Sequence, residues 1–92
     1  MDYRIWKYEI SLGRTEVDLP SGAEILSVQV QRGVVCMWAL VNTQNKTERR
    51  YFEIFGTGNK VPVDMGIFRK FIGTFQIDGE NLVFHLFERT VR

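Results

Sequence analysis

Apolar and polar residues alternate with a period of two along most of the chain, and glycine-containing turns separate the alternating runs. Such alternation places successive side chains on opposite faces and predicts β-strands. We therefore expect an all-β, mainly antiparallel domain of six to seven strands, built as a small sandwich or a partly open barrel. The predicted strands cover Tyr3–Ile10, Thr15–Leu19, Leu26–Gln31, Val34–Val41, Glu48–Phe55, Phe71–Ile77 and Leu82–Glu88.

Short turns and one unusual strand refine this picture. Arg32-Gly33 and Asp78-Gly79-Glu80-Asn81 predict hairpins, because such pairs between alternating runs favour tight turns. The run Val34–Val41 is apolar on both faces, which predicts a central strand covered on each side, with Trp38 in the core. The third, fourth and fifth strands, joined by short loops, predict a meander. The only helix expected is a single turn around Asp64–Phe68.

Length and composition limit the functional classes. A chain of 92 residues, 45% hydrophobic and 25% charged, fits one domain spanning residues 1–92. The net charge is +1, with acids and bases interleaved, whereas a duplex-DNA binder usually has a basic stripe. The only cysteine, Cys36, lies in an apolar run, so we expect a buried thiol and a reducing, cytoplasmic location. No signal-peptide centre or membrane-spanning run is present, and no membrane partner is expected.

The residues that could carry catalysis or bind metal are sparse. His85 is the only histidine and lies between bulky apolar residues in a predicted strand. A general base needs a hydrogen-bonding partner, and a metal site needs several clustered ligands. The sequence offers neither arrangement, so we expect a structural role for His85, no cofactor, no metal and no enzymatic activity.

One loop and its neighbours are candidates for ligand binding. The glycine loop, residues Gly56, Thr57, Gly58, Asn59 and Lys60, offers backbone N–H groups that can approach an anion closely. Arg50 and Arg69, or their neighbours Arg49 and Lys70, could converge with Lys60 on a phosphate, while Tyr51 and Phe68 stack on a base. The alternative is that the loop is only a connector and that these cations are solvated strand positions.

Four stretches carry a further signal: Ile5-Trp6-Lys7-Tyr8-Glu9, Ile25-Leu26-Ser27-Val28-Gln29, Met37-Trp38-Ala39-Leu40-Val41 and Phe52-Glu53-Ile54-Phe55-Gly56-Thr57-Gly58. They resemble the corresponding stretches of a family of small bacteriophage and prophage proteins of about this length, classed as a domain of unknown function. The resemblance implies a phage-encoded cytoplasmic accessory protein and transfers no site residues.

Two functions follow as hypotheses. The first is a non-catalytic protein that acts through protein contacts, as a homo-oligomer and against a host factor, with Trp6 either in the core or an interface anchor. The alternative is a module that binds a nucleotide or single-stranded nucleic acid through the Gly56–Lys60 loop and the nearby cations.

Overall fold

The computed structural model of the protein describes residues 1–77 and 82–91 and contains seven β-strands in two open antiparallel sheets. The predicted all-β class is therefore confirmed, and neither sheet closes into a barrel. The strands are β1 (Tyr3–Glu9), β2 (Arg14–Pro20), β3 (Glu24–Gln31), β4 (Val34–Asn42), β5 (Thr47–Gly56), β6 (Ile67–Ile77) and β7 (Leu82–Val91).

The two sheets divide the strands unequally. Sheet A has the order β1-β4-β3, and sheet B has the order β2-β5-β7-β6. The central position of β4 is as predicted, but the predicted meander is wrong. Because β1 and β3 occupy both edges of β4, β5 has no free edge to join in sheet A and pairs with β2 and β7 instead.

A single apolar core lies between the sheets. The Cα atoms span 42 × 36 × 15 Å, and the shortest dimension accommodates two sheets packed about 10 Å apart. Alternate residues of each strand point into this space, as the period-two pattern requires. The largest side chains buried in this space are Leu19, Met37, Val41, Phe52 and Leu86, each with less than 2% of its surface exposed.

Two bulges change which residues reach the core. The registers of β3 and β6 shift at Leu26 and Ile72 respectively. Beyond the shift in β6, Gly73 lies against β3, and a Cβ placed on it would stand 2.9 Å from Cγ1 of Val28. Phe71, expected on the same side as Phe75, therefore faces away from the core and is largely exposed.

One of the turns predicted from the sequence is found in the structure, and another is not. Arg32 and Gly33 both have positive φ values, 53° and 79°, as a two-residue hairpin turn requires. The predicted helical turn around Asp64–Phe68 is wrong: the Ile67 amide closes a turn onto the Asp64 carbonyl, and β6 begins there. The Asp78–Asn81 turn lies outside the described residues. Within residues 1–77 and 82–91 no helix is long and apolar enough to cross a membrane.

Candidate functional site

The outer face of sheet A carries apolar side chains on which no described strand packs: Tyr3 and Ile5 are exposed, and Trp38 and Leu40 are half-buried. Val35, Met37, Ala39 and Val41 of β4 point into the core, so Trp38 and Leu40 point outward. The expectation that β4 is covered on both sides, with Trp38 in the core, is therefore wrong. Cross-strand pairing sets Ile5 opposite Leu40, and Ile5 is 61% exposed. We call this surface the outer patch; its residues are Tyr3, Ile5, Trp38 and Leu40.

A polar bridge closes the other end of the same face. Lys7 of β1 donates from Nζ to Oε1 of Gln31 of β3 at 2.8 Å, so the two side chains meet across β4. Cys36 lies between them on this face and is only 1% exposed, as expected for a buried thiol. The outer patch thus begins where this polar cover ends.

Strand β1 is exposed on both of its faces. Trp6 shares its side with the fully buried Ala39, yet 40% of its surface remains exposed, because sheet B covers β1 only in part. Tyr8 is half-buried on that side, and burial raises the pKa of its hydroxyl. Trp6 is therefore neither buried in the core nor fully exposed. It lies on β1, whose outer edge pairs with no described strand.

The predicted cations are divided between the two faces of sheet B. Arg50 points to the core side, where it donates to both carboxylate oxygens of Glu88 at 2.6 and 2.7 Å and to the Ala23 carbonyl. This pairing raises the pKa of Arg50. Arg69 points to the opposite face. The structure does not bring these two arginines together, because their side chains point to opposite faces of sheet B.

Arg69 organises the outer face of sheet B. It donates to Glu53 at 2.8 Å, to the Pro62 carbonyl at 2.7 Å and to Asp64 at 3.3 Å, and its guanidinium carbon lies 5.8 Å from the ring centre of Phe55. The bond to Glu53 is the main reason that the pKa of Arg69 is raised. These contacts hold the segment that joins β5 to β6. They also use much of the hydrogen-bonding capacity of the Arg69 guanidinium, which leaves little of it for a ligand.

Much of the hydrogen-bonding capacity of the glycine loop is used within the fold. The Thr57 amide donates to the Val83 carbonyl at 2.9 Å, and the Asn59 amide donates to the Gly56 carbonyl at 3.0 Å. Gly58 has φ +86°, which a turn at this point requires. Lys60 is exposed, and the whole loop joins β5 to β6 across the end of β7.

A groove at the far end of sheet B is lined by three of the cations that the sequence singled out and by one that it did not. Its volume is about 620 Å³. Tyr51, in this groove, and Gly56 are five residues apart on β5, or about 17 Å, so the groove and the glycine loop are separate places. The lining includes two acids, Glu48 and Glu88, four cations, Arg49, Arg50, Lys70 and Arg89, and the aromatic residues Tyr51 and Phe68.

Arg89 is the groove residue that sequence reasoning missed. Its Nε atom is buried and has no hydrogen-bond partner in the part of the chain that the structure describes. Its neighbour Arg49 is instead bound to Asp18 and Glu16, and the bond to Asp18 raises the pKa of Arg49. No local signal marked Arg89, because only the register of β7 between β5 and β6 brings it to this groove.

His85 lies between two hydroxyl groups on the outer face of sheet B. Nε2 is 2.7 Å from the hydroxyl of Thr57, and Nδ1 is 2.9 Å from that of Thr74. The Thr57 hydroxyl is also 3.2 Å from the Val83 carbonyl oxygen. The imidazole thereby ties the glycine loop to β6 and β7. Among residues 1–77 and 82–91, no group of three or more His, Cys, Asp or Glu side chains is placed to hold a metal ion.

Comparison with known proteins gives one match. The model of the family described as Domain of unknown function (DUF7352) matches residues 1–92, so the chain belongs to that family. No curated protein and no solved structure matches the chain.

Proposed function

We propose that this member of the family is a non-catalytic domain that acts by binding a protein partner at the outer patch. The observation that carries the proposal is the apolar outer face of β4. A strand that is apolar on both sides is typically covered on both sides. Sheet B covers one side. On the other side no described strand packs on β4, so Trp38 and Leu40 stay half-buried beside the exposed Tyr3 and Ile5. A contiguous apolar surface of this kind marks an interaction site.

The charges support the same conclusion. Arg14, Arg49, Arg50 and Arg69 all form ion pairs with acids of this chain. These pairs leave the four arginines with less charge free for an anionic ligand, and this favours the apolar outer patch as the binding surface. Aromatic residues at the centre of such a surface commonly supply much of the binding free energy. Trp38 is the residue of the outer patch that best fits this role.

We further propose that the protein is phage-encoded and acts in the cytoplasm of the bacterial host, where its partner is a host protein or a second copy. The support for the origin is the resemblance of the four stretches quoted above. The support for the compartment is the single buried thiol of Cys36, which needs no oxidising environment.

Site-specific photo-crosslinking tests the proposed surface. A benzophenone amino acid replaces Trp38 in one variant and, as a matched aromatic control, Tyr51 on the outer face of sheet B. We expect discrete protein adducts in bacterial cells from position 38 and none from position 51. Equal adducts from both positions, or none from position 38, would contradict the proposal.

A second candidate is the binding of a nucleotide or single-stranded nucleic acid in the groove of sheet B. The observation that favours it is Arg89, whose buried Nε has no partner among the described residues and which shares the groove with Tyr51. A cation next to an aromatic ring is a common arrangement for phosphate and base recognition. The candidate thus moves from the Gly56–Lys60 loop to the opposite end of β5.

Fluorescence anisotropy with a short labelled single-stranded oligonucleotide tests this second candidate at low salt. Binding that weakens about tenfold in Arg89→Gln, and not in Arg4→Gln on sheet A, would support it. Loss of binding in Lys60→Ala with no effect of Arg89→Gln would return the site to the glycine loop. Absence of any salt-sensitive binding would remove nucleic acid as a ligand.

A further inference from the structure

Four strands lie at sheet edges, and three of them carry features that discourage pairing with another chain. The β3 and β6 edges are interrupted by bulges at Leu26 and Ile72. The β2 edge presents charged residues and ends at Pro20, which has no N–H to donate. Bulges, charges and prolines are the usual protection of sheet edges. The β1 edge also carries three charged residues, Arg4, Lys7 and Glu9, as many as β2, but it has no bulge and no proline.

The hydrogen bonds of β1 establish which of its backbone groups face this free edge. The Ile10 amide donates to the Val35 carbonyl at 3.0 Å, and the Asp2 carbonyl accepts from the Thr43 amide at 2.9 Å. Even-numbered β1 residues therefore bond to β4. Because bonding alternates along an antiparallel strand, the odd-numbered residues direct their N–H and C=O groups away from β4. These residues are Tyr3, Ile5, Lys7 and Glu9, and no described strand pairs with them.

We propose that the β1 edge pairs antiparallel with the β1 edge of a second copy of this chain. A two-fold axis at Ile5 sets Ile5 opposite Ile5 of the second copy, Lys7 opposite its Tyr3, and Arg4 opposite its Trp6. Each of these cations then faces an aromatic ring, and the apolar pair lies on the axis. In this register the odd-numbered residues form the hydrogen-bonded pairs, giving about six bonds between residues 3 and 7 of the two copies.

The neighbouring registers that keep the same faces together are less favourable. A shift by one step in one direction places Arg4 opposite Arg4 of the second copy, and like charges directly opposite each other are destabilising. A shift by one step in the other direction places Lys7 opposite Ile5, which separates the apolar residues of the outer patch. The sequence of β1 is therefore self-complementary about Ile5, and this favours a second copy over an unrelated strand.

The pairing extends the proposed function. It rests on the proposed function only in that β1 supplies both the free edge and two residues of the outer patch, Tyr3 and Ile5. It creates a six-stranded sheet in which the two outer patches adjoin across the axis. Because Ile5 belongs to the outer patch and lies on the axis, the two patches become one surface with Ile5 of each copy near its centre. The site for a further partner is therefore complete only in the dimer.

Proline substitution separates edge pairing from folding. In Ile5→Pro the lost N–H is one that points to the free edge, so the β1–β4 bonds remain. Glu16→Pro is the matched control, since the Glu16 N–H also points outward, on the β2 edge. By light scattering at high micromolar concentration, we expect the wild type and Glu16→Pro at twice the 10.8 kDa chain mass and Ile5→Pro at the chain mass.

Charge exchange tests the register itself and does not depend on the proline variant folding. Ile5→Lys and Ile5→Glu should each be monomeric, because like charges meet on the axis, and an equimolar mixture should recover a heterodimer. A monomeric wild type, a dimer that Ile5→Pro leaves intact, or a mixture that stays monomeric would overturn the inference. Adducts to a host protein from position 38 of a monomer would then leave the proposed function standing without the dimer.

Discussion

Arg50 and Glu88 form a two-bond ion pair at one end of the core, between strands β5 and β7. The side chains are only 17% and 11% exposed, and Arg50 also donates to the Ala23 carbonyl, which joins the start of β3 to sheet B. A nearly buried pair of this kind is retained because removing one partner leaves an uncompensated charge. The pair therefore ties the two sheets together at this end of the core.

Removing one member of this pair should destabilise the protein strongly. We expect Arg50→Met to lower the free energy of unfolding by about 3 kcal/mol, because Glu88 is left buried and charged. The double variant Arg50→Met/Glu88→Leu should recover much of this loss. Urea denaturation of the wild type, both single variants and the double variant completes the cycle. A double variant as unstable as the two single losses added together would show that the two side chains do not interact.

Gly73 is expected to be intolerant of even a methyl group. A Cβ at this position would stand 2.9 Å from Cγ1 of the buried Val28, so Gly73→Ala requires either β3 or β6 to shift. Overpacking of this kind costs about 1–3 kcal/mol. Val28→Ala in the Gly73→Ala background should restore part of the stability, measured by urea denaturation. The exposed neighbour Gln76→Ala serves as control, and equal stability of Gly73→Ala and Gln76→Ala would contradict the close approach.

The contacts of Arg69 should protect the segment between β5 and β6 from proteolysis. Lys60 is an exposed trypsin site in this segment, which Arg69 holds through the Pro62 carbonyl and Asp64. We expect Arg69→Gln to raise the rate of cleavage after Lys60 several-fold, because local opening exposes the backbone. Arg49→Gln, which removes an arginine from the same outer face without touching the segment, is the matched control. Identical cleavage rates in the two variants would show that Arg69 does not restrain the segment.

The sequence predicted the strands better than their partners. Alternation is a local property, so it located β1 through β5 and β7 closely and marked β4 as the central strand of its sheet. Which edge accepts β5 is a long-range property, since it depends on β1 and β3 having already occupied β4. The same limit explains the cations. The bulge at Ile72 reverses which side chains of β6 point to the core. No local signal in the sequence therefore indicated that Arg69 and Arg50 lie on opposite faces of sheet B.

The most useful sequence signal for the candidate site was read only in part. Val34–Val41 is apolar on both faces, and this pattern predicted cover on both faces. The described chain packs on one face only, so the pattern that predicted a central strand also identifies the surface at which we propose that a partner binds. Arg89 had no comparable signal, because its place in the groove depends on the pairing of β7 with both of its neighbours.

Acid should loosen the start of β1 through Asp2. Its carboxylate accepts from the Thr43 hydroxyl at 2.6 Å and from Arg4 at 3.0 Å, and these bonds lower its pKa from the ordinary 3.8, the Thr43 bond most. A carboxyl with a depressed pKa contributes stability that is present above its unfolded value and lost as pH falls through its folded value. The contribution should therefore be complete above about pH 5 and disappear progressively below pH 3.8.

The difference in Tm between the wild type and Asp2→Asn, measured across pH, tests this expectation. We expect the difference in Tm to be constant at neutral pH and to shrink towards zero as the pH falls below 3.8, the ordinary pKa of the carboxyl. Thr43→Val should weaken the pH dependence, because it removes the donor with the largest effect while leaving the carboxylate in place. A Tm difference that persists unchanged into strong acid would mean that the charge of Asp2 does not stabilise β1. Because the same strand carries the proposed edge, dimerisation should weaken over the same pH range.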